Sequence, residues 1–515
     1  LDFGDETDAT APFDLKYPDA GKIKLHTRYE LEQNGTPSGN YMYGASNQFV
    51  VRPFGFRVYL PGPDSTASDA NDSVFKPAGA NFTVQVAAKC WNSSDDSDQN
   101  GIPDGHGDLD PNNNVDLADN LTTPNFGQEI NSESVVLASY LWKPDSTNAN
   151  DPELNGKTTI STFKTGDGNS TGAQYPEVGI IGINATIKDG QYLDISSFES
   201  SKIVGSKGEV GRFIPDRFRV TDNSPGFGDG CSGFTYMGQQ FPLNSTDPRF
   251  IITAKNANNQ TTQNYDGDFW KLPDNLSNRT YKNNSTIYAN ATNSSSLSLV
   301  RSKNGSTSLY GVNTNYNGTE WITLSGDWLT YQKPVNSTKP FQAKANLNLN
   351  ATDLKDTDGV CYDPDQDNDC DPYRIASING TELRYGRIKL FPAYGSELLD
   401  LDMEFETQYY NSTLEHFTRN KKDNCTQYSS GNMTCSDPDS SDTLDCSEVN
   451  FTTSNGNIVV KGEGHYTLSQ GKNNTGTINC ILSLDSWLGN STAPATFGIY
   501  KGNEHIIYQQ ETTWK

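Results

Sequence analysis

The groups in this chain best suited to chemistry are hard oxygen donors. Residues 96–108 read DSDQNGIPDGHGD. Asp96, Asp98, Asn100 and Asp104 fall at positions 1, 3, 5 and 9 of a calcium loop, and Gly101 falls at its sharp turn. The Ile102 carbonyl takes position 7. Oxygens on alternate residues wrap one cation, and the glycine lets the chain bend around it. Gly107 stands where such a loop usually carries a bidentate Glu, so Asp108 or Asp110 is expected to complete the shell. A second acidic stretch, DLKDTDGVCYDPDQDNDCD, spans residues 353–371. It crowds Asp356, Asp358, Asp363, Asp365, Asp367 and Asp369 into a loop closed by Cys361 and Cys370. Carboxylates this close repel one another unless they are protonated or bridged by metal. Calcium is the cofactor expected at both loops; the plain alternative is two solvated acidic loops.

Other chemistry finds little support. The five histidines, His26, His106, His416, His465 and His505, are scattered, and neither HExxH nor Gly-x-Ser-x-Gly occurs. His106 lies in the first acidic loop and reads as a bystander. With 64 acidic residues, no single carboxylate pair marks a glycosidase. No Gly-rich loop follows a strand and opens a helix, so nucleotide binding is not indicated. The expectation is a protein without catalytic residues. Phe234 with Tyr236, Phe269 with Trp270, and Tyr409 with Tyr410 are candidate sugar platforms, although such groups more often pack cores and edges.

The elements that must hold these loops read as strands. Asn81–Lys89, Phe341–Ala351 and Glu382–Tyr410 read as strands, with clean alternation from Ala80 to Val86, and no long 3.6-residue period occurs. Glu382–Tyr410 reads as two strands joined across Pro392–Ser396. Only 33% of the 515 residues are hydrophobic, which suits narrow two-layer modules with long polar loops. Aromatics at 11% provide core material, so the chain reads as folded. VRPFGFRVYL, VQVAAKC and TTPNFG in the first part match FIPDRFRVTD, IITAKN and TTQNYDG further on, in the same order. That is the mark of a tandem array. The fold class expected is all-β: tandem β-sandwich (Ig-like) modules with long polar loops, disulfides, calcium loops and little helix. The divisions expected are an N-terminal arm and strand region over 1–48, a first sandwich over 49–210 with the calcium-loop insertion, a second over 211–352, and a C-terminal β module over 353–515. The acidic Leu1–Tyr17 stretch reads as an arm, or as a strand in need of a partner.

Compartment follows from three further features. The eight cysteines, Cys90, Cys231, Cys361, Cys370, Cys425, Cys435, Cys446 and Cys480, are widely spaced with no CxxC pair, which points to disulfides in an oxidising compartment. Cys361 with Cys370 is the expected local pair. Cys90 and Cys231 are expected to tie the first half together, and the last four to bridge among themselves, although eight cysteines allow many connectivities. Asn-x-Ser/Thr recurs roughly two dozen times. Asn81, Asn169, Asn184, Asn244, Asn284, Asn293, Asn317, Asn336, Asn411 and Asn490 are the candidate glycosylation sites. A net charge of −25 argues against nucleic acid as a partner, and no apolar run is long enough for a membrane-spanning helix.

Several strings carry a family resemblance. VRPFGF at 51–56, CSGFTYMGQQF at 231–241, DGVCY at 358–362, LRYGRIKL at 383–390 and FGIYKGNEHIIY at 497–508 resemble the C-terminal region of MshQ-type proteins. YPDAGKIKLHTRY at 17–29 belongs to the same pattern. Those proteins are associated with biogenesis of the mannose-sensitive haemagglutinin pilus, a type IV pilus. The resemblance implies an exported, β-rich protein of the bacterial surface and brings no catalytic residues. The partners it implies are pilus subunits or other copies of this chain, in a surface filament. The alternative expectation is a monomeric carbohydrate-binding adhesin at a pilus tip.

Overall fold

The computed structural model describes residues 13–62, 65–106, 115–243, 248–273, 280–283, 286–287, 289–290, 298–303, 318–325, 328–411, 413–438, 442–454 and 456–498. Their order is almost wholly strand. The α-helix among them is the single turn Ser197–Ser200, joined by a few short 3-10 turns. Three hydrophobic cores follow one another along the chain. Each core lies between two facing sheets, and the second also takes Phe241 and Leu329 from a small sheet of Gln240–Pro242, Trp328–Thr330 and Ala289–Asn290.

The first sandwich sets Thr159–Ile160, Val135–Lys143, Gly179–Ile187, Val204–Ile214 and Lys76–Pro77 against Phe163–Lys164, Asp167–Gln174, Phe82–Lys89 and Gly55–Tyr59. Phe82–Lys89 buries alternate side chains in its first half, as a strand with one face on a core should. Gly179–Ile187 is central in its sheet and buried nearly throughout. Phe56, Val84 and Val86 meet Ile181, Ile183 and Phe213 across the gap. The second sandwich contains Arg217–Asp222, Arg249–Lys255, Thr319–Ser325 and Ser298–Lys303 in one sheet, and Thr235–Tyr236, Tyr373–Arg384, Phe341–Leu349, Thr280–Asn283 and Thr286–Ile287 in the other. The third pairs Gly386–Leu390, Leu401–Asn411, Glu463–Gln470 and Val449–Ser454 in one sheet, and Ala393–Gly395, Asn490–Phe497, Gly476–Ser483 and Met433–Ser436 in the other.

The connections between sandwiches are very short. Val204–Ile214 ends the first sandwich, and Arg217–Asp222 opens the second after Pro215 and Asp216. Tyr373–Arg384 ends the second, and Gly386–Leu390 opens the third after Tyr385. The seam therefore lies at Tyr385 and not after residue 352. The stretch 353–384 belongs to the second sandwich, because Tyr373–Arg384 pairs along Phe341–Leu349.

The tandem repeat has three copies. Gly55 pairs with Lys89 and Arg217 with Lys255, so the matched strings hold equivalent positions. Ala88 N–H donates to Gly166 O, and Ala88 O accepts from Thr123 N. Ala254 repeats this with Gly318 and Thr262, and Thr407 repeats it with Gly462 and Asn420. The three glycines sit at φ +82°, +61° and +77°. A Cβ on them would stand 2.5, 1.8 and 2.5 Å from the carbonyl oxygens of Thr123, Thr262 and Asn420. Each therefore has to be glycine, both for its dihedral angle and for lack of room. The third copy escapes the string comparison because only this glycine and its hydrogen bonds persist.

Glu382–Tyr410 holds antiparallel strands with Gly386 opposite Tyr409 and Leu390 opposite Phe405. Its connection is not a plain turn: Ala393–Gly395 forms a strand parallel to Asn490–Phe497 and closes the opposite sheet. Ahead of the first sandwich, Gly21–Ile23 pairs with Phe49–Val51, and His26–Gln33 forms a hairpin with Thr36–Ala45. Most of the N-terminal arm, residues 1–12, lies outside the described residues.

The expected local pair Cys361–Cys370 forms, but Cys231 joins Cys425 and not Cys90, so the last four cysteines do not bridge only among themselves. Cys231 bonds Cys425, Cys361 bonds Cys370, and Cys435 bonds Cys446. Cys90 and Cys480 are free thiols. Cys231 is drawn away from Cys90 because its segment plugs into the third core, where Phe234 and Tyr236 are buried. Cys480 lies opposite Cys435 in the strand register, but Cys435 is already bonded to Cys446. Burial pushes the Cys480 thiol up to about 12, so it is not a thiolate at neutral pH.

Candidate metal loops and the seams between sandwiches

The first acidic loop folds its oxygens onto its own backbone. Asp96 accepts from Trp91 Nε1 at 2.9 Å and from Gly101 N at 3.2 Å. Asp98 accepts from Asn100 N, Asn100 Oδ1 from Ile102 N, and Asp104 from Ser97 N. Arg52 holds the loop by donating to Gly101 O at 2.7 Å. Burial lowers the pKa of His106, which favours its neutral form. Asp95, absent from the spacing pattern, is buried, and its Oδ2 has no hydrogen-bond partner. Asp108 and Asp110 lie outside the described residues.

The second acidic stretch divides into two parts with different roles. Asp356 is buried; it accepts from Tyr265 Oη at 2.7 Å and from the amides of Asp358 and Val360. Burial raises its pKa, and burial followed by the Asp356 charge raises that of Tyr265. Asp358 takes both arms of Arg212 at 2.6 and 2.7 Å. These two carboxylates are therefore structural partners and stand apart from the acidic group beyond Cys361. There, one oxygen each from Asp363, Asp365 and Asp371 lie within 4.8 Å of one another. Asp363 is fixed by donation from Gln366 N at 2.7 Å and Asn368 N at 3.1 Å. Asp367 accepts from Asp369 N, and neither residue joins the trio. Desolvation, then the charges of Asp367 and Asp371, raise the pKa of Asp365. Asp371 was missed by the spacing argument because it follows the closing cysteine. Among the described residues the other convergent set is Cys231, Asp423 and Cys425, whose sulfurs are spent in a disulfide.

The seams carry polar groups that no local sequence pattern singles out. At the first seam Glu177 is 1% exposed. It accepts from Asn150 Nδ2 at 3.0 Å, Val178 N at 2.8 Å, Gln263 N at 2.8 Å and Asn264 N at 3.1 Å. Burial raises its pKa, and these four donors work against the rise. Asn264 in turn donates to the carbonyls of Asn150 and Val178. Arg212 to Asp358 crosses the same seam, with the Arg212 side chain 3% exposed. At the second seam Asp423 is fully buried and accepts from Tyr236 Oη at 2.8 Å and Thr426 Oγ1 at 2.7 Å. Asn420 donates to Tyr236 Oη, and Lys333 donates to the carbonyls of Gly386 and Trp487. The Cys231–Cys425 bond spans this seam.

Three consecutive stretches of the chain match one family. Residues 52–174 match the second domain of DUF6701, 177–377 the third and 384–512 the fourth. The chain belongs to the DUF6701 family. The boundary between second and third DUF6701 domains falls inside the first sandwich, since Gly179–Ile187 and Val204–Ile214 complete its sheet. Among curated proteins, none matches the chain. Solved structures similar to it include the I9–I11 tandem of titin, at TM-score 0.23 and 7% identity, covering 82% of this chain and 95% of that one. Another is Dpr2 Ig1–Ig2 in complex with DIP-Theta Ig1–Ig3, at TM-score 0.18 and 9% identity, covering 83% and 96%. A third is domains 4 and 5 of the S-layer protein SbsC, at TM-score 0.17 and 8% identity, covering 55% and 99%. At such TM-scores these likenesses carry no weight for function.

The remaining sequence candidates fall as follows. Phe234 and Tyr236 are fully buried, and Phe269 and Trp270 are 5% and 8% exposed, so these four are core residues and not sugar platforms. Tyr409 and Tyr410 are half-buried. Asn81, Asn169, Asn336 and Asn490 are exposed, whereas Asn184 and Asn411 are half-buried. Asn244, Asn284, Asn293 and Asn317 lie outside the described residues.

Proposed function

We propose that this DUF6701 chain is a non-catalytic structural part of the bacterial cell exterior, built to hold its sandwiches in fixed register. The observation that carries the reading is the Cys231–Cys425 bond across the second seam, backed by buried polar networks at both seams. A chain of loosely linked modules has no need of a crosslink spanning 194 residues. Under tension such a bond takes the load directly and shields the chain between its ends. The disulfides suit an oxidising compartment outside the cytoplasm. The finer reading is a pilus-associated part or a subunit of a surface filament, partnered by pilus subunits or its own copies. It rests on the resemblance to MshQ-type strings.

Calcium belongs to the same reading. The residues fit a hard cation: Asp363, Asp365 and Asp371 offer carboxylate oxygens, and Asp95 in the first loop has an oxygen with no partner. These groups would hold the ion, and the ion would supply charge balance that lets the acidic loops stay folded. Glycans at exposed sequons such as Asn81, Asn169, Asn336 and Asn490 would cover the sandwich surfaces.

Stretching the chain from its two ends tests the load-bearing claim. With the Cys231–Cys425 bond closed, 194 residues should be withheld from extension. Reduction should then release roughly 600–700 Å of further contour length. Equal contour lengths before and after reduction, or failure of antibodies against the chain to label intact cells, would overturn the proposal.

A further inference from the structure

The hairpin of His26–Gln33 and Thr36–Ala45 stands apart from all three cores. Among the described residues no third strand pairs with it, so both outer edges are open. Tyr29, Leu31, Met42 and Tyr43 are 59%, 39%, 59% and 76% exposed. Two strands alone are marginal in water, and an open edge is a template for another strand. The two edges are not equivalent. Thr36–Ala45 carries Pro37, which cannot donate, and Gly39 at φ +71°, and its register breaks between the pairs at Glu30 and Glu32. His26–Gln33 has neither proline nor glycine.

The sequence of that regular edge is complementary to itself. Laid antiparallel on a second copy about Tyr29, it sets Arg28 opposite Glu30 and His26 opposite Glu32 on one face, each twice by symmetry. The other face sets Tyr29 against Tyr29 and Thr27 against Leu31. A shift of two residues places Glu30 on Glu30 or Arg28 on Arg28. A shift of one places a charge on Tyr29, and parallel in-register pairing stacks like on like. Opposite charges directly across a strand pair attract and like charges repel. The shift that sets Glu30 on Glu30 keeps two Arg28–Glu32 pairs, but the arrangement about Tyr29 has two Arg28–Glu30 pairs and no like pair, and is favoured. The charges that would otherwise guard an edge become the register code.

We propose that a second copy of this chain docks along His26–Gln33, joining two hairpins into one four-stranded antiparallel sheet. This rests on the reading of the chain as a self-assembling part and names the surface it uses.

Sedimentation equilibrium of the whole chain, over a micromolar concentration series, tests it. The natural chain should dimerise. Arg28→Glu alone and Glu30→Arg alone should each weaken the dimer by about tenfold or more, since each turns two attractive pairs repulsive. The two changes together exchange the partners and should restore the dimer to within about threefold. The hairpin lies outside the cores, so melting temperatures should stay unchanged in all three variants. A natural chain that stays monomeric, a dimer indifferent to the single changes, or a double variant no better than the singles would overturn the proposal. Solution scattering of the monomeric fraction separates the two readings: intact seams with no dimer sink the docking edge alone.

Discussion

Asp365 shows what crowding does to a carboxylate. Desolvation and its neighbours Asp367 and Asp371 favour its protonated form, so a proton and a cation compete for the same oxygens. Calcium affinity at this loop should therefore fall as pH is lowered from neutrality into the raised range of Asp365. The position of the trio makes a sharper prediction by titration calorimetry. Asp371→Asn should weaken calcium binding by about tenfold or more, whereas Asp369→Asn should change it by less than about threefold. Equal effects would show that the trio is not the site. Sequence spacing named Asp363 and Asp365 among the loop carboxylates but could not separate them from Asp356 and Asp358. What separates those is contact with Tyr265 and Arg212, 91 and 146 residues away along the chain. No local pattern records such a partner.

At the scale of elements, the strands legible in the sequence are those whose apolar alternation matches their burial. Phe341–Leu349 and Glu463–Gln470 alternate in sequence and in burial alike. The short strands that close the sheets were not legible. Lys76–Pro77 and Ala393–Gly395 are each defined by a distant partner strand, with only two or three residues of their own. The third repeat was hidden because its sign is a glycine under a carbonyl, with no recurring string. The first seam depends on how the elements meet. Glu177→Ala would leave the buried amides of Val178 and Asn264, the part-buried amide of Gln263 and the Asn150 side-chain amide without their acceptor. Such losses cost about 2–4 kcal/mol in total, read by urea unfolding. Glu177→Gln keeps one oxygen for those donors and should recover part of the loss. An unchanged unfolding midpoint in Glu177→Ala would mean the network adds nothing to the seam.

For the whole molecule, the stretch Cys231–Met237 is the join. Phe234 and Tyr236 belong to the third core while Met237 belongs to the second. One short segment thus serves two sandwiches, and the Cys231–Cys425 bond fixes it in place. With connections of only one or two residues, the sandwiches have little freedom to swing. Small-angle scattering of the oxidised chain, compared with the Cys231→Ser, Cys425→Ser double variant, tests this fixed register most directly. The oxidised chain should fit a single arrangement of the three sandwiches, and the variant should broaden towards many arrangements at the second seam while its sandwiches stay folded. A native profile that already requires a wide spread of angles between sandwiches would contradict the account.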